Sequence, residues 1–161
     1  MNQKKNKLKI NDKISRELKN KTILITGGAG SVGSQLTKEL LKYQVRQVRI
    51  LDIDEHALFQ LSHSLNDKRV RVLLGSILDK ERTEMACLNV DIVFHTAAVK
   101  NIEISEFNPI ETIETNINGT VNMIKTVIKT KPKKFLNIST DKAVNPATLY
   151  GTTKQLGERL T

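Results

Sequence analysis

The sequence predicts an α/β fold in which a doubly wound parallel sheet is covered by helices on both faces, giving three layers, α/β/α. Two observations carry this expectation. Apolar runs of strand length recur at 21–26 (KTILIT), 46–52 (RQVRILD), 69–74 (RVRVLL), 90–95 (VDIVFH) and 133–139 (KKFLNIS). Helix-like segments lie between them at about 32–43, 55–66, 79–88 and 108–130, and another begins near Tyr150. Strictly alternating strand and helix is the pattern of parallel strands joined by crossover helices, with both sheet faces buried.

Residues 1–20 precede the first strand and read as a basic arm. Eight cations from Lys4 to Lys21 oppose only Asp12 and Glu17, so most of the chain's net charge of +9 lies there and residues 21–161 are mildly basic. Ile14 and Leu18, four apart, make the arm partly helical, and it is expected to be solvated. It contains no aromatic residue on which a base could stack, so a nucleic-acid partner is not expected. No apolar stretch approaches the roughly 20 residues that span a bilayer, and the start lacks the apolar core of a signal peptide. One cysteine, Cys87, excludes an internal disulfide framework. A soluble, cytoplasmic protein is the expectation.

The first strand runs into TGGAGSVGSQL, residues 26–36, with glycines at 27, 30 and 33. A strand that ends in spaced glycines and opens a helix is a phosphate cradle. Gly27 permits the tight turn, Gly30 lets backbone approach a pyrophosphate, and Gly33 lets helix and strand pack closely. The free N–H groups at Ser31 and Val32 then face the negative charge. An acid about 25 residues on strengthens the reading, because Asp52 ends the second strand, where a carboxylate accepts ribose hydroxyls and repels a 2′-phosphate. NAD is therefore expected over NADP. Asp54 is expected to cap the next helix, and Arg49, the one feature that argues for NADP, to point away.

The helix expected over 108–130 carries Ile113, Ile117, Val121, Ile124 and Ile128 in one apolar stripe, interrupted by Gly119. Glycine there costs about 1 kcal/mol against alanine unless a close approach requires it. After the fifth strand comes STDKAVNPATLYGTTK, residues 139–154, in which Tyr150 and Lys154 share one helical face. A phenol with a free pKa of about 10 needs nearby positive charge to act near neutrality, which Lys154 supplies. Ser139 or Thr140 could hold the hydroxyl that Tyr150 deprotonates. His95 follows Phe94 at a strand end, where packing is expected rather than metal binding. No cluster of histidine, cysteine and carboxylate has ligand spacing.

With TGGAGSVGSQL, DIVFHTAAVKNIEISEFNPIETIETNINGT and STDKAVNPATLYGTTK in order, residues 21–161 resemble the NAD(P)-binding Rossmann domain of extended short-chain dehydrogenase/reductases. Within them the chain resembles the polysaccharide-biosynthesis branch that contains inverting UDP-N-acetylglucosamine 4,6-dehydratases. The resemblance implies that Lys100, Ala97, Ala98 and Ser139 line the cofactor site and that Asn116 steadies the active-site loop. Ser76 and Ile77 would meet the adenine, less securely because the family has Gly-Asp where this chain has Gly75-Ser76. It also implies a dehydratase acting on a UDP-sugar. Tyr150 would take the 4-hydroxyl proton as hydride leaves carbon 4, a neutral, desolvated Lys142 would take the carbon 5 proton, and Asp141 would protonate the departing 6-hydroxyl. Two alternatives stand beside this, a nucleotide-sugar epimerase and a non-catalytic dinucleotide-binding module. For Asp141 and Lys142 the alternative is a surface ion pair in a turn before Pro146.

Enzymes of the branch are about twice as long and carry a C-terminal, substrate-binding part. This chain is therefore expected to be the cofactor-binding part, with a truncated sheet and little turnover alone. Loss of substrate orientation removes a contribution of about 7–11 kcal/mol. The complete enzyme is expected to be a homo-oligomer.

Overall fold

The computed structural model describes residues 12–161. Five strands, β1 (Thr22–Thr26), β2 (Gln47–Asp52), β3 (Val70–Leu74), β4 (Ile92–His95) and β5 (Lys134–Asn137), form one parallel sheet in the order β3-β2-β1-β4-β5. The strand order reverses beside β1, so the connections from β1 and β4 leave on opposite sides and open a crevice between the two carboxyl ends. β1 is central and buried along its whole length, which is why its sequence is an unbroken apolar and threonine run. Alternate residues serve the two faces. Ile23, Ile25, Val48 and Ile50 pack in one cluster with Leu40 and Leu58, while Leu24, Leu51 and Val93 pack in the other with Met123 and Ala86. The expected three layers and doubly wound sheet are present.

The helices are α1 (Asp12–Leu18), α2 (Ser31–Leu40), α3 (Glu55–Leu65), α4 (Lys80–Cys87), α5 (Ile102–Phe107), α6 (Pro109–Ile113), α7 (Gly119–Thr130) and α8 (Leu149–Leu160). The basic arm is not wholly solvated. Leu18 is buried in the first cluster and Glu17 pairs with Lys134 at 2.7 Å, so the end of the segment packs on the domain. The cations at positions 4, 5, 7 and 9 lie outside the described residues.

The segment expected as one helix over 108–130 is divided. α6 starts on Pro109, a π-helical turn spans Glu114–Asn118, and α7 follows. The apolar stripe is not the face that meets the sheet. Thr112, Asn116, Gly119, Thr120, Met123 and Thr126 are buried, whereas Ile113 and Ile128 are exposed. Hydrogen bonds let the threonines line the core side: Thr112 and Thr120 donate to the carbonyls of Asn108 and Asn116, and Thr126 meets Thr83 at 3.0 Å. Gly119 has its reason, because a Cβ there would stand 2.5 Å from Ile77 Cδ1. Burial pushes the Cys87 thiol up to about 11, which keeps this core residue protonated.

Gly33 sets how closely α2 lies against the turn after β1. An added Cβ would meet backbone atoms of Gly28 and Gly27 at 2.5 and 2.6 Å, which no rotamer change relieves. Gly33→Ala should therefore destabilise the fold by about 1–3 kcal/mol despite its better helix propensity, a loss that urea unfolding would read.

Candidate functional site

The glycine turn is built by backbone crowding. Gly27 has φ +63°, and a Cβ on it would lie 2.5 Å from Ala97 Cα, so both its conformation and its neighbour demand glycine. Its carbonyl accepts the Gly30 N–H at 3.2 Å, which closes the turn. Gly30 is different, since a Cβ there would meet only Gly27 O, at 3.3 Å, and it faces an open cleft of about 310 Å³. Gly30 is also the N-cap of α2 and has no side chain to satisfy the helix's first N–H groups. By contrast α3, α4, α5 and α8 are capped by Asp54, Asp79, Asn101 and Thr148. The leading turn of α2 thus offers free donors and the positive end of its dipole to the cleft.

Asp52 stands at the end of β2 on the cleft wall, and its carboxylate is oriented by two backbone donors, Ala29 N–H at 2.9 Å and Asp54 N–H at 3.2 Å. Each oxygen keeps a lone pair for a ligand hydroxyl. Asp54 accepts the Ala57 N–H at 2.9 Å and so caps α3, and it too lines the cleft. Arg49 is turned away, donating to the carbonyls of Ala86 and Leu88 at the end of α4.

The opposite wall is the chain after β4, where Ala97, Ala98 and Lys100 line the cleft. Thr96 ties this wall to the turn by donating to the carbonyls of Thr26 and Gly27. The Lys100 ammonium donates to Ser31 Oγ at the start of α2. Asn116 is buried and grips Val99 on both sides, accepting its N–H at 2.8 Å and donating to its carbonyl at 3.0 Å. It also donates to Thr153 Oγ1 at 3.0 Å, which fastens α8 to the same loop. Ser76 and Ile77 line the far end, with Ser76 Oγ accepting the Leu78 N–H.

Around one cleft the structure gathers Gly27, Gly30, Ser31, Val32, Gly33, Asp52, Ser76, Ile77, Ala97, Ala98 and Lys100. Ser139, Thr140, Asp141, Lys142, Tyr150 and Lys154 are not among its walls. Ser139 Oγ donates to the Glu158 carboxylate, which engages it on α8 instead of in the cleft. Thr140 caps the 3₁₀ turn Asp141–Ala143, accepting the Lys142 N–H at 3.4 Å. Lys142 does not meet the desolvation expected of it. Its Nζ lies 3.5 Å from Asp141 Oδ1 and its side chain is 47% exposed, the surface ion pair that was the alternative. Thr140 and Lys142 hold the Asp141 carboxyl below its usual range. Lys154, four residues after Tyr150, is buried and its ammonium makes no hydrogen bond among the described residues; burial lowers its pKa. Gly151 lets α8 seat against the Lys142 carbonyl, since a Cβ would strike that oxygen.

Sequence reasoning passed over Thr96, Val99, Thr115 and Thr153. Thr96 and Val99 adjoin Ala97 and Ala98 in HTAAV, so the run itself marks them. Thr115 and Thr153 gave no signal, because the π turn and the Asn116 link depend on tertiary packing.

A family model described as "Polysaccharide biosynthesis protein" matches residues 23–161. An uncharacterized membrane protein of Methanocaldococcus jannaschii is 49% identical over 148 residues, 92% of this chain and 44% of the relative. A UDP-N-acetylglucosamine 4,6-dehydratase (inverting) of Campylobacter jejuni is 43% identical over 141 residues, 87% of this chain and 42% of the relative. A UDP-glucose 4-epimerase of Rickettsia prowazekii is 35% identical over 144 residues, covering 87% and 42%. Among solved structures, Pen from Bacillus thuringiensis superimposes with a TM-score of 0.86 at 39% identity, covering 89% of this chain and 44% of that one. WbmF of Bordetella bronchiseptica, in complex with NAD+, does so at 0.77 and 25% identity, covering 89% and 45%. The chain spans less than half the length of these curated relatives.

His95 links the two halves of the site, its Nδ1 2.7 Å from Thr26 Oγ1 and its Nε2 3.1 Å from Thr120 Oγ1. Burial, and the Lys154 charge after it, push its pKa down to about 3. The folded protein therefore keeps it neutral while the unfolded chain takes up a proton below about 6.5, so its stabilisation is full above that pH and is lost as pH falls toward 3. Urea unfolding from pH 8 to 4.5 should show wild type losing up to about 1.4 kcal/mol per pH unit relative to His95→Gln.

Proposed function

This chain belongs to the polysaccharide biosynthesis protein family, and on that premise we propose that it holds NAD for a nucleotide-sugar 4,6-dehydratase that inverts carbon 5 of a UDP-N-acetylhexosamine. The uncapped, side-chain-free start of α2 opening on the cleft carries the proposal. A pyrophosphate accepts the donors that no residue of the turn satisfies, and Asp52 receives the adenosine ribose hydroxyls. Asp52 and Asp54 on the wall, with Arg49 held by the carbonyls of α4, disfavour a 2′-phosphate. When bound, the nicotinamide supplies a hydride acceptor that later returns the hydride.

The chain's own residues move the protons. Tyr150 takes the 4-hydroxyl proton, with the Lys154 ammonium lowering the cost of the phenolate. Lys142 removes the carbon 5 proton, for which it must be neutral, and the bound sugar supplies the desolvation that the exposed ion pair lacks. A proton passed from Lys142 to Asp141 within their ion pair leaves the amine neutral and lets Asp141 protonate the departing 6-hydroxyl. Hydride then returns to carbon 6, and a solvent-derived proton reaches carbon 5 from the opposite face, which inverts it. Epimerisation at carbon 4 is the second reading, favoured by the 35% identity to the Rickettsia enzyme. It needs Tyr150 but neither Asp141 nor Lys142. The complete protein is proposed to be a homo-oligomer, with the exposed Ile113 and Ile128 and the half-buried Ile117, Val121 and Ile124 between them as a face for a second copy.

NAD should bind at least fivefold more tightly than NADP in a calorimetric titration, and Asp52→Ala should narrow that preference. Equal or tighter binding of NADP by wild type would overturn the cofactor assignment. In an enzyme completed with the carboxyl-terminal half of a relative, UDP-N-acetylglucosamine in heavy water should gain deuterium at carbon 5, and Lys142→Ala should abolish the gain. A carbon 4 epimer without that label would instead establish the second reading.

A further inference from the structure

Among the described residues, positive charge does not gather where an anionic ligand of the cleft would need it. The cleft walls carry Asp52, Asp54 and Lys100. Cations collect instead at the amino end of the sheet, where Lys21, Arg46 and Lys133 immediately precede β1, β2 and β5. Three arginines, Arg46, Arg49 and Arg71, stand close together and make no ion pair with a carboxylate among the described residues. Arg49 and Arg71 are direct partners in the β2–β3 ladder, so their side chains leave the same face of the sheet one strand apart. Like charges on one rung are destabilising. Arg46 and Arg49 line a polar depression of about 450 Å³ together with Thr22, Gln47 and Asn89. Burial, then the neighbouring charges of Arg71 and Arg46, lower the pKa of Arg49.

The group is also anchored. Arg49 Nη1 is fixed by the carbonyls of Ala86 and Leu88 at 2.9 and 2.8 Å, and Nε by Gln47 Oε1 at 2.9 Å, which leaves Nη2 without a protein acceptor among the described residues. Arg46 Nε donates to Thr22 Oγ1 at 2.9 Å, and both its terminal nitrogens lack an acceptor among the described residues. The nearby carboxylate, Asp91, is already used. It accepts the Thr22 N–H at 3.0 Å and the Lys21 ammonium at 3.2 Å, and Lys133 lies 3.9 Å away. An edge strand protected by charge accounts for Arg71 alone, and a helix cap accounts for Arg49 alone. Neither accounts for a group of three arginines of which two, Arg46 and Arg49, line one depression while the third, Arg71, stands on the same sheet face beside Arg49.

We propose that Arg46, Arg49 and Arg71 form a second anion site, at the end of the sheet remote from the glycine turn, that binds a phosphate group. The free forked donors of Arg46 and Arg49 suit a tetrahedral oxyanion, and the added charge of Arg71 suits a phosphate monoester dianion. The group could belong to a free phosphate ligand or to a lipid headgroup, since both present the same oxygens. The site is independent of NAD binding.

The test titrates inorganic phosphate into the protein by calorimetry, with chloride at equal ionic strength as control. In parallel, the protein is sedimented with phosphatidylcholine vesicles that contain or lack phosphatidic acid. R46Q/R71Q is the comparison; Arg49 stays because it caps α4, and the glycine turn is unaltered, so the difference from wild type isolates this site. Saturable phosphate binding that weakens about tenfold or more in the variant supports a free ligand. Sedimentation only with phosphatidic acid, lost in the variant, supports a headgroup. No saturable binding in either arm, or binding unchanged in the variant, overturns the site. R71Q should melt no lower than wild type, because it removes a like-charge rung. R46K/R71K keeps the charge and the fold but loses the forks, so it too must bind more weakly, and wild-type affinity in it would overturn the site.

Discussion

Backbone pressed against backbone at Gly27 governs this structure. The residue is left-handed and its α-carbon faces Ala97 at a distance that admits no Cβ, so the turn after β1 and the loop after β4 must touch with nothing between them. Because the sheet reverses its order between these two strands, that contact floors the crevice at their carboxyl ends. Gly33 brings α2 onto the same turn, and Gly30 leaves one side bare. The cleft is what remains when three close approaches are satisfied and one face of the turn is left without a side chain.

From this floor the site extends through hydrogen bonds to backbone, not through salt bridges. Asp52 is oriented by Ala29 and Asp54, Thr96 by the carbonyls of the turn, and Val99 by Asn116. Asn116 then reaches Thr153 and so couples the loop to the helix that carries Tyr150 and Lys154. The π-helical turn at Glu114–Asn118 widens the helix where Asn116 meets this loop. Asn116 thus ties the helix of Tyr150 and Lys154 to the cleft wall, and Glu106 of α5 adds a second hold by accepting the Leu149 N–H at 2.7 Å. Asp141 and Lys142 have no comparable tie and remain paired with each other at the surface.

Much of the fold was legible because the strands are short, apolar and regularly spaced, and because spaced glycines at the end of a strand restrict the backbone to few conformations. All five strands lie where the runs placed them, with ends shifted by at most two residues. The stripe of α7 misled because threonines that return their hydroxyl protons to the helix backbone can line a core as well as isoleucines do. Periodicity counts apolar residues and so found a half-buried face with exposed ends instead of the one that meets the sheet. α5 was missed since six residues make too short a period, although Asn101 ahead of it is a cap. Ser139 was placed by order along the chain, and only the packing of α8 shows Glu158 holding its hydroxyl. The state of Lys142 depends on what covers it, which no local pattern encodes.

The proposed NAD site rests on the free N–H groups at the start of α2 acting as a pyrophosphate cradle. A crystal structure of this protein grown with NAD would test it most directly. Pyrophosphate oxygens should then lie within hydrogen-bond distance of the Ser31 and Val32 backbone nitrogens, with the adenosine ribose against Asp52. A dinucleotide bound elsewhere, or a turn filled by the protein's own side chains, would contradict it.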